Sequence, residues 1–150
     1  MERNYYLLQW TWGLLQNLSG GLHYLLNLSR PHMHYRKAIV TVWKKRASAS
    51  VGMFIFLGVS DRDILRKKKP FTPDSLTPSE HRVLVHEYGH TLQSLLFGPF
   101  FLPLVALPST LWAGLGKRLR RKKHLFYYSV FPEKNANRLA QRVTGEETPH

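Results

Sequence analysis

The stretch TPSEHRVLVHEYGH, residues 77–90, combines a helix start with a regularly spaced pair of histidines. Thr77 before a proline, with Glu80 three residues later, is the sequence of a capping box, in which two side chains satisfy unpaired backbone N–H groups of the first helical turn. A glycine and a proline at positions 98 and 99 mark the opposite end. The sequence therefore predicts one helix from about Thr77 to about Phe97.

The histidines of this predicted helix, His86 and His90, are four residues apart, and Glu87 follows the first of them. Residues i and i+4 share one face of a helix, so both imidazoles can reach the same ion. Glu87 is turned by about 100° from His86, so it can stand beside the open position of a metal and take a proton from water. The pattern favours a metal site; a purely structural pair of helix histidines is the alternative.

A third metal ligand is expected at Glu133, since two histidines and a glutamate are one of the sets that hold a catalytic zinc ion. Pro132 and Glu133 open a second predicted helix, which continues to about Thr144. Asn137 lies one turn later on the same face, where its side chain can hydrogen-bond a ligand histidine and fix the tautomer. The alternative for Glu133 is a solvated carboxylate favoured by the helix dipole.

Composition limits the kinds of site that the chain can form. Its 150 residues have the size of one domain and include no cysteine, which excludes a disulfide scaffold, a thiolate zinc site, an iron–sulfur cluster and a cysteine nucleophile. The 22 Lys and Arg residues exceed the nine Asp and Glu residues and give a net charge of +13. This excess, which is clumped at residues 44–46 and 117–123, favours an anionic partner such as nucleic acid or a membrane.

Two long stretches, residues 4–29 and 88–116, contain no Asp, Glu, Lys or Arg. Each has at least the roughly 20 residues that a bilayer crossing requires. We expect residues 1–30 to form an apolar helix that is inserted in a membrane or lies at its interface; an amphipathic core helix is the alternative. Basic loops flank the proline-broken run 98–116, so we expect it to dip into the bilayer as a hairpin, with burial in a protein core as the alternative.

These features predict a membrane-associated protein that contacts lipids and whose basic loops face the cytoplasm. Basic clumps beside uncharged apolar runs suit a membrane better than a nucleic acid, and no nucleic-acid partner is expected.

Two strand patterns precede the histidine-bearing helix. Residues 38–43 are β-branched and aromatic, and residues 51–58 form a second apolar run of strand length. A polar connection at residues 44–50 joins them, which predicts a β-hairpin. Strands together with helices place the chain in the α+β class, with residues 31–150 as one domain.

Two segments, HEYGHTLQS at 86–94 and EKNANRLA at 133–140, resemble the gluzincin pattern, in which an HExxH helix is followed by a glutamate on a helix of the form ExxA(D/N)xLA. The run from about residue 35 to 145 also resembles a family of small uncharacterised bacterial membrane-associated proteins with a GMFIFLG and HEYGHTxQS core. The resemblance implies a small zincin-like metallopeptidase domain that holds Zn²⁺. One departure is Asn137, which stands where many gluzincins have aspartate and implies weaker activation of the metal.

The same resemblance implies roles for individual residues. Zn²⁺ would be bound by His86, His90 and Glu133, with Glu87 as the catalytic base. The segment GMFIFLG is similar to the zincin edge strand that pairs with an extended substrate, which makes the expected substrate strand Gly52, Met53, Phe54, Ile55 and Phe56. The candidate oxyanion donors are Tyr128, Tyr127 and His124.

The predicted function is therefore zinc-dependent hydrolysis of a peptide bond, in a peptide or protein substrate, by a metal-activated water at a membrane. A catalytically inactive metal-binding scaffold or regulatory protein is one alternative. A basic nucleic-acid-binding module in which HExxH is incidental is the other, and it predicts steeply salt-dependent DNA binding and no zinc.

Overall fold

The computed structural model describes residues 2–43, 47–111 and 131–149. These residues form a mixed α+β fold with one four-stranded sheet. The helices are α1 (Glu2–Thr11), α2 (Leu14–Leu26), α3 (Arg62–Leu65), α4 (Pro78–Phe97) and α5 (Glu133–Thr144). The strands are β1 (His32–Tyr35), β2 (Ala38–Trp43), β3 (Ala49–Val51) and β4 (Phe54–Gly58), and short helical turns occupy Pro73–Ser75, Gly98–Phe100 and Leu102–Ala106.

Helix α4 begins and ends where the sequence predicts. The side chain of Thr77 accepts a hydrogen bond from the backbone N–H of Glu80 at 3.2 Å, and Glu80 Oε2 accepts one from the backbone N–H of Thr77 at 3.0 Å. The helix ends at Phe97 because Gly98 has a φ of 51°, which side chains disfavour. The capping box and the terminal glycine are thus both confirmed.

The sheet has the order β1-β2-β4-β3, and the hairpin predicted from residues 38–43 and 51–58 is wrong. Strands β2 and β4 run parallel, with Val40 opposite Ile55, whereas β3 pairs antiparallel with β4. The reversal occurs inside the second apolar run, at Gly52 and Met53. Gly52 has a φ of 62°, a left-handed conformation that ends a strand and permits a tight turn.

The predicted substrate strand is corrected by the same turn. Gly52 and Met53 form the turn itself, and Phe54, Ile55 and Phe56 belong to β4, which is paired with β2 on one side and with β3 on the other. A strand with neighbours on both sides uses its backbone groups within the sheet and has none left for a peptide. In the described part of the chain, the edge on this side of the sheet is β3.

The N-terminal segment is two helices rather than the single helix predicted for residues 1–30. Three of the polar residues that interrupt its apolar run, Gln9, Gln16 and Asn17, are buried. Asn17 Oδ1 accepts a hydrogen bond from the backbone N–H of Met53 at 2.8 Å and so ties α2 to the β3–β4 turn. Among the described residues, no helix is both long enough and apolar enough to cross a membrane.

The run predicted to dip into the bilayer as a hairpin is described only in part. Residues 98–111 form successive helical turns, and residues 112–116 lie outside the described residues.

The main core lies between the sheet and α4. Helix α5 packs against α4 beside this core. Gly89 permits this contact, because a Cβ atom at that position would lie 2.1 Å from the carbonyl oxygen of Ala136. The close approach brings the first turn of α5 beside the HExxH turn of α4. The buried side chains between sheet and α4 include Val40, Val42, Ile55, Leu57, Leu84 and Val85.

Candidate metal centre

Three side chains that are far apart in the sequence converge at the contact between α4 and α5. Glu133 Oε2 lies 3.1 Å from His86 Nε2 and 3.5 Å from His90 Nε2, and the three potential ligand atoms are all within 4.8 Å of one another. All three residues are buried. Within the described ranges, this is the only group of three or more histidine or acidic side chains close enough to hold one ion.

The orientation of His86 is set by Asn137, as the sequence suggested. Asn137 Nδ2 donates to the backbone carbonyl of Pro149 at 2.9 Å, so its Oδ1 is the atom that faces His86 Nδ1, at 2.6 Å. A carbonyl oxygen only accepts, so the His86 Nδ1 atom must carry the proton. In neutral His86, the Nε2 atom that faces Glu133 is then an acceptor.

Gln93 orients His90 in the same way. Its Nε2 donates to the backbone carbonyl of Pro132 and to Asn135 Oδ1, both at 2.9 Å, which leaves Oε1 to accept from His90 Nδ1 at 2.7 Å. Gln93 follows His90 by three positions, so the two side chains lie near the same face of α4. The side chain is buried, and it links one ligand histidine to the residues beside Glu133.

These contacts require a positive charge between the three ligand atoms. If both imidazoles are neutral and carry their protons on Nδ1, their two Nε2 atoms are acceptors that face a carboxylate oxygen, which is itself an acceptor. Three acceptor atoms this close repel one another unless a cation or a proton lies between them. Glu133 Oε2 is buried and has no hydrogen-bond partner, as expected for an atom reserved for an ion.

Two of the three ligand–ligand distances are close to those around a zinc ion. A tetrahedral ion with ligand distances of about 2.0–2.2 Å separates its ligand atoms by about 3.3–3.6 Å. Glu133 Oε2 lies 3.1 and 3.5 Å from the two histidine nitrogens, and all three ligand atoms are within 4.8 Å of one another.

Ionisation of the cluster also favours a cation. Burial by itself would raise the pKa of Glu133, but the imidazoles of His86 and His90, which attract the carboxylate when they are protonated, and the hydrogen bond from Ser109 outweigh burial and hold that pKa well below its usual range. Burial by itself would lower the pKa of His90, and the nearby carboxylates of Glu133 and Glu87 raise it instead. Glu133 is therefore an anion at neutral pH, which is the state that binds a metal.

Glu87 lies next to the ligands without joining them. It is buried on the following position of α4, and its Oε2 accepts a hydrogen bond from Ser50 Oγ of β3 at 2.9 Å. A carboxylate held beside a metal by one hydroxyl is placed to exchange protons with a water molecule. The sequence predicted this position for Glu87, whereas Ser50 was not predicted, since it reaches the site only through strand pairing.

Ser109 is a second contact that the sequence did not predict. Its hydroxyl donates a short hydrogen bond to Glu133 Oε1, which leaves Oε2 directed at the histidines. One signal was available, because Ser109 and Thr110 are the only hydroxyl-bearing residues in the apolar run 98–116. The candidate oxyanion donors Tyr128, Tyr127 and His124 lie outside the described residues.

Comparisons of this chain with protein-family models, with curated proteins and with solved structures found no match.

Proposed function

We propose that this protein is a zinc-dependent peptidase. The observation that carries the proposal is the buried convergence of His86, His90 and Glu133, with Glu87 next to it and held by Ser50. Two histidines and one glutamate leave a fourth position open for water or substrate, whereas purely structural zinc sites are almost always closed by four protein ligands.

The identity of the metal follows from the ligand chemistry. The set contains two imidazoles and one carboxylate, and the chain has no cysteine to offer a thiolate. Zinc accepts such a mixed nitrogen and oxygen set in catalytic sites, whereas magnesium and calcium prefer oxygen ligands alone. A zinc ion held here would supply a Lewis acid that polarises the scissile carbonyl and lowers the pKa of a water molecule.

The protein's own residues would then manage the proton. Glu87 accepts a proton from the attacking water and returns it to the amine that leaves. Ser50 donates to one oxygen of Glu87, and the other oxygen would accept the proton of the water. The oxyanion donor would be Tyr128, Tyr127 or His124, the candidates expected from the sequence.

A peptide substrate would bind along β3. This strand forms the sheet edge nearest the site, and main-chain pairing with an edge strand is a common mode of peptide binding. The middle residue of β3, Ser50, contacts Glu87, so a peptide paired with this strand would pass beside the catalytic base. The substrate strand is thereby moved by one strand from the position expected from the sequence.

The test compares wild type with Glu87→Gln, which keeps the shape of the side chain and an acceptor for Ser50 but removes the base. We expect both proteins to bind one zinc ion per chain by elemental analysis, and we expect the variant to cleave a peptide library about 10²–10⁴-fold more slowly. Glu147→Gln is the matched control, because Glu147 is exposed and its carboxylate forms an ion pair with Arg82, at 3.6 Å, away from the cluster.

If the cleavage rates of wild type and Glu87→Gln do not differ, and both proteins contain zinc, the result would favour the inactive metal-binding scaffold. Absence of zinc from the wild-type protein under zinc-replete conditions would remove the basis of the proposal altogether.

A further inference from the structure

The polarity of α1 and α2 is inverted relative to a helix of a water-soluble protein. Gln9, Gln16 and Asn17 are fully buried, whereas the leucines of the same helices are exposed. The buried amides bond to one another and to the backbone: Asn17 Nδ2 donates to Gln9 Oε1 at 2.7 Å, and Gln16 Nε2 donates to the carbonyl of Gly98 at 2.9 Å. Helices that are surrounded by lipid typically bond to one another through polar side chains and direct their apolar side chains outward.

The exposed apolar side chains of residues 7–28 and 96–111 form a surface that we name the apolar face. On α2, Leu18, Leu22 and Leu25 follow one helical stripe and are 54%, 58% and 60% exposed. The second segment lies beside the helices, because the ring of Trp12 packs against Gly98. Phe100 and Leu107, which are 59% and 54% exposed, extend the surface there. Monomeric soluble proteins rarely expose so many large apolar side chains together.

We propose that the apolar face inserts into one leaflet of an anionic lipid bilayer. Three properties favour lipid over a second copy or a protein partner. The two stretches that supply the face, residues 4–29 and 88–116, contain no Asp, Glu, Lys or Arg, whereas the rim of a protein interface is polar. Basic residues follow both stretches, at Arg30 and at 117–123, and the net charge of +13 suits anionic headgroups. Trp10 and Trp12 supply the aromatic rings that collect at the membrane interface.

Insertion into one leaflet follows from the helix lengths. Helices α1 and α2 have 10 and 13 residues. At about 1.5 Å per residue they are about 15 and 20 Å long, shorter than the roughly 30 Å hydrocarbon core of a bilayer. Helices of this kind lie along the interface with their apolar side chains in the acyl region.

The apolar face and the candidate metal centre share two segments of the chain. The segment 102–111 carries exposed Leu104 and Leu107 and also Ser109, whose hydroxyl bonds to Glu133. In α4, exposed Leu96 follows His90 by six residues, which is about 9 Å along the helix. If the proposed peptidase function holds, its substrates are therefore polypeptide segments that lie at the bilayer surface.

The first experiment measures binding of the full chain to phosphatidylcholine vesicles, with and without phosphatidylglycerol, by flotation. We expect wild type to float with the mixed vesicles, and we expect the triple variant Leu18→Gln, Leu22→Gln, Leu25→Gln to bind at least about a hundredfold more weakly. Glutamine has a helix propensity close to that of leucine, so α2 should persist, which circular dichroism checks. Val143→Gln on α5 is the control, because Val143 is similarly exposed, at 53%, outside the apolar face.

The inference is overturned if wild type does not float, or if the triple variant floats as well as wild type. A lipid-free dimer that the triple variant dissociates, without vesicle binding by wild type, would instead identify the face as a contact between two copies and would also overturn it.

A second experiment separates this inference from the peptidase function. One peptide is offered free in solution and also attached to a lipid anchor in the vesicles, and we expect the triple variant to lose cleavage of the anchored form selectively. The variant Glu87→Gln should float as wild type does. If wild type floats but cleaves neither peptide, membrane binding is supported and the peptidase function is rejected. If wild type and the triple variant cleave the anchored peptide equally, the proposed substrate class is rejected.

Discussion

The two ligand histidines are oriented by neutral amides rather than by carboxylates. Asn137 and Gln93 each use the NH₂ group on a backbone carbonyl and the oxygen on a histidine Nδ1. Such outer contacts fix the imidazole tautomer and affect the strength of metal binding. Gln93 also links α4 to the start of α5, because its NH₂ group bonds to the carbonyl of Pro132, the residue before Glu133.

We predict that Gln93→Ala lowers zinc affinity by about 10- to 100-fold, the usual cost of losing a group that orients a ligand. The substitution removes the acceptor for His90 and also loosens the start of α5. Competition with a fluorescent zinc chelator measures the affinity directly. Gln141→Ala is the matched control, because Gln141 bonds to Thr148 and not to a ligand. Equal zinc affinity in Gln93→Ala and wild type would show that the amide has no role in the centre.

The sequence predicts members of the cluster on both helices and misses Ser50 and Ser109, which come from outside α4 and α5. His86, Glu87 and His90 follow from the periodicity of one capped helix, and Asn137 follows from a one-turn spacing after Glu133. Ser50 and Ser109 reach the site through strand pairing and through an irregular helical segment, and neither has a periodic pattern. Local spacing therefore identifies the ligands, while the contacts that hold them depend on tertiary structure.

At the level of elements, the site depends on how closely α4 and α5 approach. A Cβ atom on Gly89 would lie 2.1 Å from the carbonyl oxygen and 2.7 Å from the carbonyl carbon of Ala136. These are backbone atoms, so the contact cannot be relieved by rotating a side chain. Any residue larger than glycine must push α5 away and carry Glu133 with it.

We predict that Gly89→Ala abolishes stoichiometric zinc binding and destabilises the fold by about 1–3 kcal/mol, the usual cost of overpacking. Chemical denaturation with zinc and with a chelator measures both effects. The control is Gly21→Ala on α2, where the nearest atom to a new Cβ is 3.8 Å away and alanine should be neutral or mildly stabilising. A Gly89→Ala protein that binds zinc as wild type does would contradict the packing described for the two helices.

For the strands, the sequence predicts where they lie but not how they pair. Both apolar runs do contain strands, but the pairing between β2 and β4 is parallel instead of the predicted hairpin. Strand direction depends on where the chain reverses, and the reversal is set by Gly52 and by the bond between Asn17 and Met53, far away in the sequence. Gly52 lies inside the second apolar run and forms part of the turn between two strands.

At the scale of the whole molecule, Glu146 joins three distant parts of the chain. Its carboxylate accepts hydrogen bonds from Tyr35 Oη at 2.9 Å and from Arg36 Nη2 at 3.0 Å, and it lies 2.6 Å from His81 Nε2 of α4. Burial by itself would raise the pKa of Glu146, but the contacts with His81, Arg36 and Tyr35 outweigh it and lower that pKa.

A carboxylate whose pKa is lower in the folded than in the unfolded state stabilises the fold above its ordinary pKa of about 4.5 and loses that effect as the pH falls. We predict that Glu146→Gln unfolds more easily than wild type at pH 7 and that the difference shrinks below about pH 4.5. Denaturation across this pH range, with a chelator present to remove the metal contribution, tests the prediction against Glu147→Gln. A difference that stays constant with pH would contradict it.

The segments expected at a membrane also show what the whole molecule adds to the sequence. Residues 4–29 contain no charged side chain, as an inserted helix would, but they include the polar residues Gln16 and Asn17. The structure resolves this conflict by turning the amides inward and the leucines outward. Periodicity alone does not say which face of a helix is inside, because that depends on the polar groups of Ser94, Gly98 and Met53 that the amides contact.

The most direct test of the metal centre is anomalous diffraction at the zinc edge from crystals of the protein grown with zinc. We predict one peak between α4 and α5, about 2.0–2.2 Å from His86 Nε2, His90 Nε2 and Glu133 Oε2. The absence of a peak there, or a Glu133 carboxylate turned away from both imidazoles, would contradict the central claim.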